Sequence, residues 1–127
     1  MSDDYIYDRY GAVQLSIDDE GAIFAYRTGK VIGYTSKGVV YDYYGRHVGW
    51  YENGVLRDVN GNVVGFNDEP SDFPQPIFPI TQIRPFEPVR SVAPAHPNGQ
   101  ISPMIKPYKQ FFWSAASPLG LFSIGGY

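Results

Sequence analysis

VVYDYYGRHVGWYENG, residues 39–54, is followed at once by VLRDVNGNVVGFND, residues 55–68, and the two stretches share one layout. Gly45 and Gly61 stand sixteen residues apart, as do Gly49 and Gly65, and an aromatic residue, Trp50 or Phe66, follows the second pair. Gly29, Gly33 and Tyr34 continue the series upstream, and Gly38 and Gly54 keep the same step. Several columns agreeing on one period mark an internal repeat, which settles the architecture before local propensity does. A fourth, divergent unit begins at Asp8-Arg9-Tyr10-Gly11, eighteen residues before Gly29, with AVQLSI where the others read x-x-V-G-aromatic.

Each unit reads as a β-hairpin. An apolar pair such as Val39-Val40 or Val55-Leu56 leads into Asp-x-x-Gly, where the Asp carboxylate bonds backbone amides ahead of it and the Gly accepts positive φ. The chain returns through V-G-aromatic, and a second turn at DDEG, SKG or ENG opens the next unit. Recurrent glycine with β-branched and aromatic residues disfavours helix. One such hairpin cannot bury its own face, so the neighbouring units must supply the rest of the core. Glycine inside a strand weakens it unless something approaches closely. Gly33, Gly49 and Gly65 are therefore expected nearest a pseudo-fourfold axis.

Two stretches, IYDRYGAVQLSIDDEGAIFAYRTGKVIGY and GVVYDYYGRHVGWYENGVLRDVNGNVVGF, resemble the bacterial 4-fold beta flower family over about residues 5–67. The resemblance implies an all-β fold of four hairpin petals about a pseudo-fourfold axis. It implies no activity and transfers no functional residue. Gln14 and Ser16 depart from the pattern, so the first petal is expected to be less regular than the others.

Composition divides the chain near residue 69. Residues 1–69 hold no proline, ten of fourteen glycines, and six basic against eleven acidic side chains. Residues 70–127 hold all eleven prolines, with four basic and two acidic side chains. The sequence thus reads as a repeat domain over 1–69, a proline-rich arm over 70–110 and an aromatic C-terminal segment over 111–127. The prolines are too irregular in spacing for collagen, and proline drives its neighbours toward extended conformations. Phe73, Ile77, Phe78, Ile80, Ile83, Phe86, Val89 and Val92 interleave with them, which argues against disorder and for an extended chain lying in a groove. Phe111, Phe112, Trp113, Leu121 and Phe122 are too much apolar surface to leave in water. They dock either on the repeat domain, completing its core, or on a neighbouring subunit. One Pro-x-x-Pro match, Pro85 to Pro88, lacks the flanking pattern of a groove ligand.

Little in the chain points to chemistry. It has no cysteine, which removes disulfides, thiolate metal sites and cysteine nucleophiles together. His47 and His96 are too few for a multi-histidine metal site, and Asp18-Asp19-Glu20 reads as a solvated turn, not a calcium loop. No nucleophile elbow accompanies the serines. No cofactor is expected. A formal charge of −3 gives no basis for nucleic-acid binding, and no apolar run is long enough to span a membrane. The start MSDDYIYDRYG lacks the order of a signal peptide, so the expected location is cytoplasmic. The residues that turn and axis geometry leave unexplained are Tyr43, Tyr44, Arg46, His47 and Tyr51, and with Trp50 they form the candidate binding surface. The expected function is a non-enzymatic interaction or assembly module, self-associating or meeting another protein through the arm and C-terminal segment. The alternative is a small-ligand or glycan-binding module with aromatic pockets between repeats, a reading to which a faint similarity to choline-binding repeats lends some support.

Overall fold

A computed structural model describes residues 3–92 and 108–122. Residues 93–107, with His96 and part of the arm, and residues 123–127 lie outside the described residues. Eight strands, β1 (Asp4–Tyr7), β2 (Val13–Ile17), β3 (Ala22–Ala25), β4 (Val31–Ser36), β5 (Val39–Asp42), β6 (His47–Glu52), β7 (Val55–Asp58) and β8 (Val63–Phe66), pair in chain order. β8 returns to β1 through Tyr7 and Phe66, so the antiparallel sheet closes into an up-and-down barrel without edges. A short helix, α1 (Pro118–Phe122), packs into it against β2, β6 and β8.

The turns follow directly from their residues. In the third petal the Asp42 carbonyl accepts from Gly45 N at 3.0 Å, and Asp42 Oδ1 accepts from the amides of Tyr44 and Arg46, both at 2.9 Å. Gly45 sits at φ 84, where a side chain is strained. Asp8 and Asp58 repeat these bonds in the first and fourth petals. The second petal, which has Tyr26 in place of Asp, closes through Ala25, whose carbonyl accepts from Gly29 N. Because strands alternate in direction, all four of these turns lie on one rim of the barrel.

Every hairpin also carries a β-bulge at one place. Register slips by one between Ile6 and Tyr7, Ile23 and Phe24, Val40 and Tyr41, and Leu56 and Arg57, leaving Gln14, Ile32, Val48 and Val64 as the extra residues. A bulge sets two residues against one, so its two members face the same way. Gly33, Gly49 and Gly65 pair with the core residues Ile23, Val40 and Leu56, and Ile32, Val48 and Val64 beside them pack in the same interior. The interior takes one large side chain from each bulge, and glycine is the other member. In the first petal the order is reversed. Leu15 fills the interior and Gln14 turns out to donate to Asp8 Oδ2 at 3.2 Å. The departure at Gln14 is thus an inverted bulge.

The glycines do face inward, but they do not meet one another there. A Cβ on Gly33, Gly49 or Gly65 would strike the carbonyl of Tyr41, Arg57 or Tyr7 on the adjoining strand. It would also press on α1, reaching Phe122 Cε1 at 2.7 Å from Gly33 and Pro118 Cγ at 3.1 Å from Gly65. The middle of the barrel is filled by this helix, with Phe122 wholly buried beside Ile6, Leu15 and Ile17.

The arm leaves β8, meets the Asn53 carbonyl with the amides of Ser71 and Asp72, and then follows the turn-bearing rim. Gln82 N donates to Gly11 O at 2.8 Å, Ser91 N to Gly29 O at 2.7 Å, and Gln110 N to Gly61 O at 3.0 Å. Beyond, Trp113 forms an isolated parallel bridge with Val63. Arg57, 2% exposed, ties the two ends of the arm together. Its Nε donates to Asp72 Oδ2 at 3.3 Å, Nη1 to the carbonyls of Gly61 and Gln110, and Nη2 to that of Pro74. Lys109 Nζ adds a 2.6 Å contact to Asp72 Oδ1. Burial raises the Asp72 pKa, but hydrogen bonds from Lys109 and Arg57 outweigh it and hold the carboxyl below its ordinary value.

Two outcomes follow. Gly49→Val should lower the free energy of unfolding by about 3 kcal/mol, since its Cβ meets backbone that cannot move aside; an unchanged urea midpoint would show that the column is not packed. For Asp72, the unfolded chain protonates first as pH falls, because its carboxyl has the higher pKa. The contribution is therefore full above about pH 4 and drains away below it. Asp72→Asn should be less stable at neutral pH by about 3 kcal/mol, the cost of stranding a buried partner, and should show a flatter loss of stability between about pH 5 and pH 3. Urea unfolding across that range measures both.

Candidate functional site

The third petal carries the residues singled out from the sequence, and alternation along β6 divides them. Tyr43 and Tyr44 occupy the Asp42–Gly45 turn, exposed, with rings edge-on at 5.6 Å. Arg46 lies over Tyr44 at 5.6 Å and donates from Nε to Asp42 Oδ2 at 2.7 Å. The His47 ring meets Trp50 edge-on at 4.7 Å, and its Nε2 lies 2.9 Å from the Gly49 carbonyl. These five line the rim and outer wall of one petal. Tyr51 does not join them: it pairs with Leu56 on the inner face and donates to Asp4 Oδ2 at 2.7 Å. Burial, and then the Asp4 carboxylate, raise the Tyr51 pKa far above its ordinary value. Tyr51 is partly buried against the core, on the face opposite the outer wall.

The C-terminal aromatics also separate. Phe122 and Leu121 pack in the barrel. Trp113 meets Phe78 at 5.6 Å and Phe66 at 6.4 Å, with Arg9 5.5 Å over its ring. Phe111 and Phe112 stack on each other at 4.3 Å and stay 53% and 58% exposed.

A larger surface emerges where the sequence suggested a groove. Ile77, Ile80, Ile83, Phe86, Val89 and Val92 are each more than nine-tenths exposed. They recur every third residue, the period of an extended polyproline-type chain, so they share one face of the arm. The opposite side does the docking. Phe78 stacks on Phe66 at 4.3 Å, and Arg84 donates to the Tyr7 hydroxyl at 2.7 Å and lies 4.0 Å over the Tyr5 ring. Arg90 bonds Asp3 at 2.8 Å and Glu87 at 2.9 Å. The arm does not bury its apolar row in a groove, because backbone amides, arginines and Phe78 already hold it on the barrel. The three-residue spacing was the one sequence signal that could have separated the row from the docking face.

Between arm and barrel lies a cleft of about 610 Å³, walled by Gln14, Tyr26, Thr28, Gln82, Pro85 and Phe86 among others. Two of its polar side chains are engaged, Gln14 with Asp8 and the Tyr26 hydroxyl with the Pro85 carbonyl at 2.5 Å. Among the described residues no cluster of His, Cys, Asp and Glu is placed to hold a metal ion, and no helix is long and apolar enough to cross a membrane.

No curated protein and no solved structure matches this chain. The family model described as "4-fold beta flower protein" matches residues 4–122 and so includes the arm and α1 along with the barrel. Four bulged hairpins closed in a ring, with a match over nearly the whole length, establish that the chain belongs to the 4-fold beta flower family.

Proposed function

We propose that this chain is a non-enzymatic protein-interaction module that assembles through the outer face of its arm, with a second copy of itself as the partner. The observation that carries this reading is the row Ile77, Ile80, Ile83, Phe86, Val89 and Val92, apolar and turned to solvent on a backbone pinned to the barrel. Contiguous exposed apolar surface of this kind marks contact sites. Burying one such side chain is worth about 1.5 to 3 kcal/mol, so a few together offset the freedom lost on association. Because the backbone is fixed beforehand, little further ordering is required. Phe111 and Phe112 extend the same surface chemistry where the arm rejoins the barrel.

The alternative, a small-ligand or glycan site in aromatic pockets, draws less support. The aromatic column on the outer wall, Tyr34, Trp50 and Phe66, is buried, and in the cleft beside the arm Gln14 and the Tyr26 hydroxyl are already paired within the chain.

Ile83→Ser, Phe86→Ser and Val89→Ser combined should leave the barrel folded, since exposed substitutions usually shift stability by about 0.5 kcal/mol or less each. Light scattering on size-separated samples should find the native chain as an oligomer and the triple variant as a monomer with unchanged far-ultraviolet dichroism. A native chain that stays monomeric at its highest soluble concentration overturns the reading.

A further inference from the structure

Three departures from the repeat fall in one place, where the first petal meets the second. At Gln14 the bulge is inverted and the side chain turns outward to Asp8. The turn of the second petal is one residue longer than its counterparts. Gly29 N reaches the carbonyl of Ala25, four residues back, whereas Gly11, Gly45 and Gly61 reach Asp8, Asp42 and Asp58, three back. By these bonds Ala25 stands where the other petals carry an aspartate, so a methyl group replaces a carboxylate. The added residue is Tyr26, whose amide donates to Gln14 O at 3.0 Å and whose hydroxyl donates across to the Pro85 carbonyl.

These departures meet in the cleft of about 610 Å³ between barrel and arm, where Gln14, Ala25, Tyr26, Arg27 and Thr28 all stand in the wall. Its floor is core: Ala25 belongs to the buried cluster, and Leu119 of α1 packs against that cluster. Concave sites of about 300 to 1,000 Å³, mostly apolar with a few polar groups, are where proteins hold small molecules. Local exceptions to an otherwise consistent pattern gather at such sites. A sugar would need partners for its hydroxyls, and here Gln14 and the Tyr26 hydroxyl already bond within the chain. An apolar body asks for none, and it finds Ala12, Val13 and Leu119. Its polar end is set by Arg27, a permanent cation at the turn.

We infer that this cleft is a binding site for a small amphipathic monoanion, a carboxylate on an aliphatic body. The carboxylate meets the Arg27 guanidinium, and the aliphatic body lies over Ala12, Val13 and Leu119. The same guanidinium repels an amine of matching shape. Arg27 is exposed, so its preference for the anion is about fivefold, the most that a solvated ion pair gives. Affinity itself comes from the apolar floor, where water is displaced from the core. The second petal thus gives up its turn aspartate and gains a pocket.

The probe is sodium octanoate, kept below its micelle concentration and titrated into the full-length chain by calorimetry, with octanol and octylammonium as uncharged and cationic matches. Octanoate should bind one to one, about fivefold more tightly than octanol, and octylammonium more weakly than either. Arg27→Gln, at an exposed position, should bring octanoate down to the level of octanol. Ala12→Leu should weaken all three by filling the cleft. Amide shifts in the unaltered chain cover variants that fold poorly, and on adding octanoate they should centre on residues 12–14 and 26–28. No saturable uptake, equal affinity for the three probes, or shifts centred on Ile77, Ile80 and Val92 overturns the inference. Ala12 and Arg27 lie outside the apolar row, so a chain that stays monomeric and still binds octanoate in this way overturns assembly alone.

Discussion

Everything in this fold depends on fitting two inward-facing neighbours into a barrel that has room for one. Strands of four to six residues close into a ring only if they coil strongly, and a bulge in each hairpin supplies the bend. The same bulge turns consecutive residues toward the centre. In three petals a β-branched residue and glycine share that position, and in the first Gln14 is sent out while Leu15 takes the interior. What the glycines leave open is filled by a helix from the far end of the chain. The barrel and its C-terminus are one packing unit, since the side chains that complete the core lie more than fifty residues beyond the last strand.

That requirement explains the arm. A chain that ends its sheet at Phe66 and must return a helix to the barrel has to travel outside, where exposed backbone needs partners. The rim supplies them in the turn glycine carbonyls, which point outward and are free of the barrel's own ladder. Arg57 then secures the beginning and end of the circuit at one point. Its buried guanidinium and Asp72 outweigh the surface pairs energetically. An ion pair such as Arg84 with Asp68, at 3.7 Å and half in water, contributes about 1 kcal/mol at most.

The repeat, the hairpins and the turn chemistry were legible in the sequence because each rests on a local rule: Asp42 and Gly45 can be read without knowing what surrounds them. Tyr51 was placed with the outer residues because turn and axis geometry left it unexplained, although it is adjacent to Trp50 and adjacent strand residues face opposite ways. α1 escaped notice despite a start signal, Pro118 in its first turn and Ser117 Oγ accepting from Gly120 N at 3.0 Å, because five residues give no helical period. The arm hid its order differently. Eleven prolines look irregular together, and only the barrel shows that Pro79, Pro88 and Pro107 each stand three residues before an amide that meets the rim.

The charge division between the halves has a physical use. The barrel half carries eleven acidic against six basic side chains, and the remainder four basic against two acidic. Three of those four bases, Arg84, Arg90 and Lys109, reach back to Asp68, Asp3 and Glu52. Attraction of this kind fixes where the arm lies without using its aliphatic residues. An arm held by apolar contact alone would have to turn Ile80, Ile83 and Val89 inward and would present a polar outer face. Held instead by amides, guanidiniums and Phe78, it keeps those side chains on the outside at a fixed spacing. The docking chemistry of the arm and its availability to a partner are thus two sides of one extended chain with a period of three.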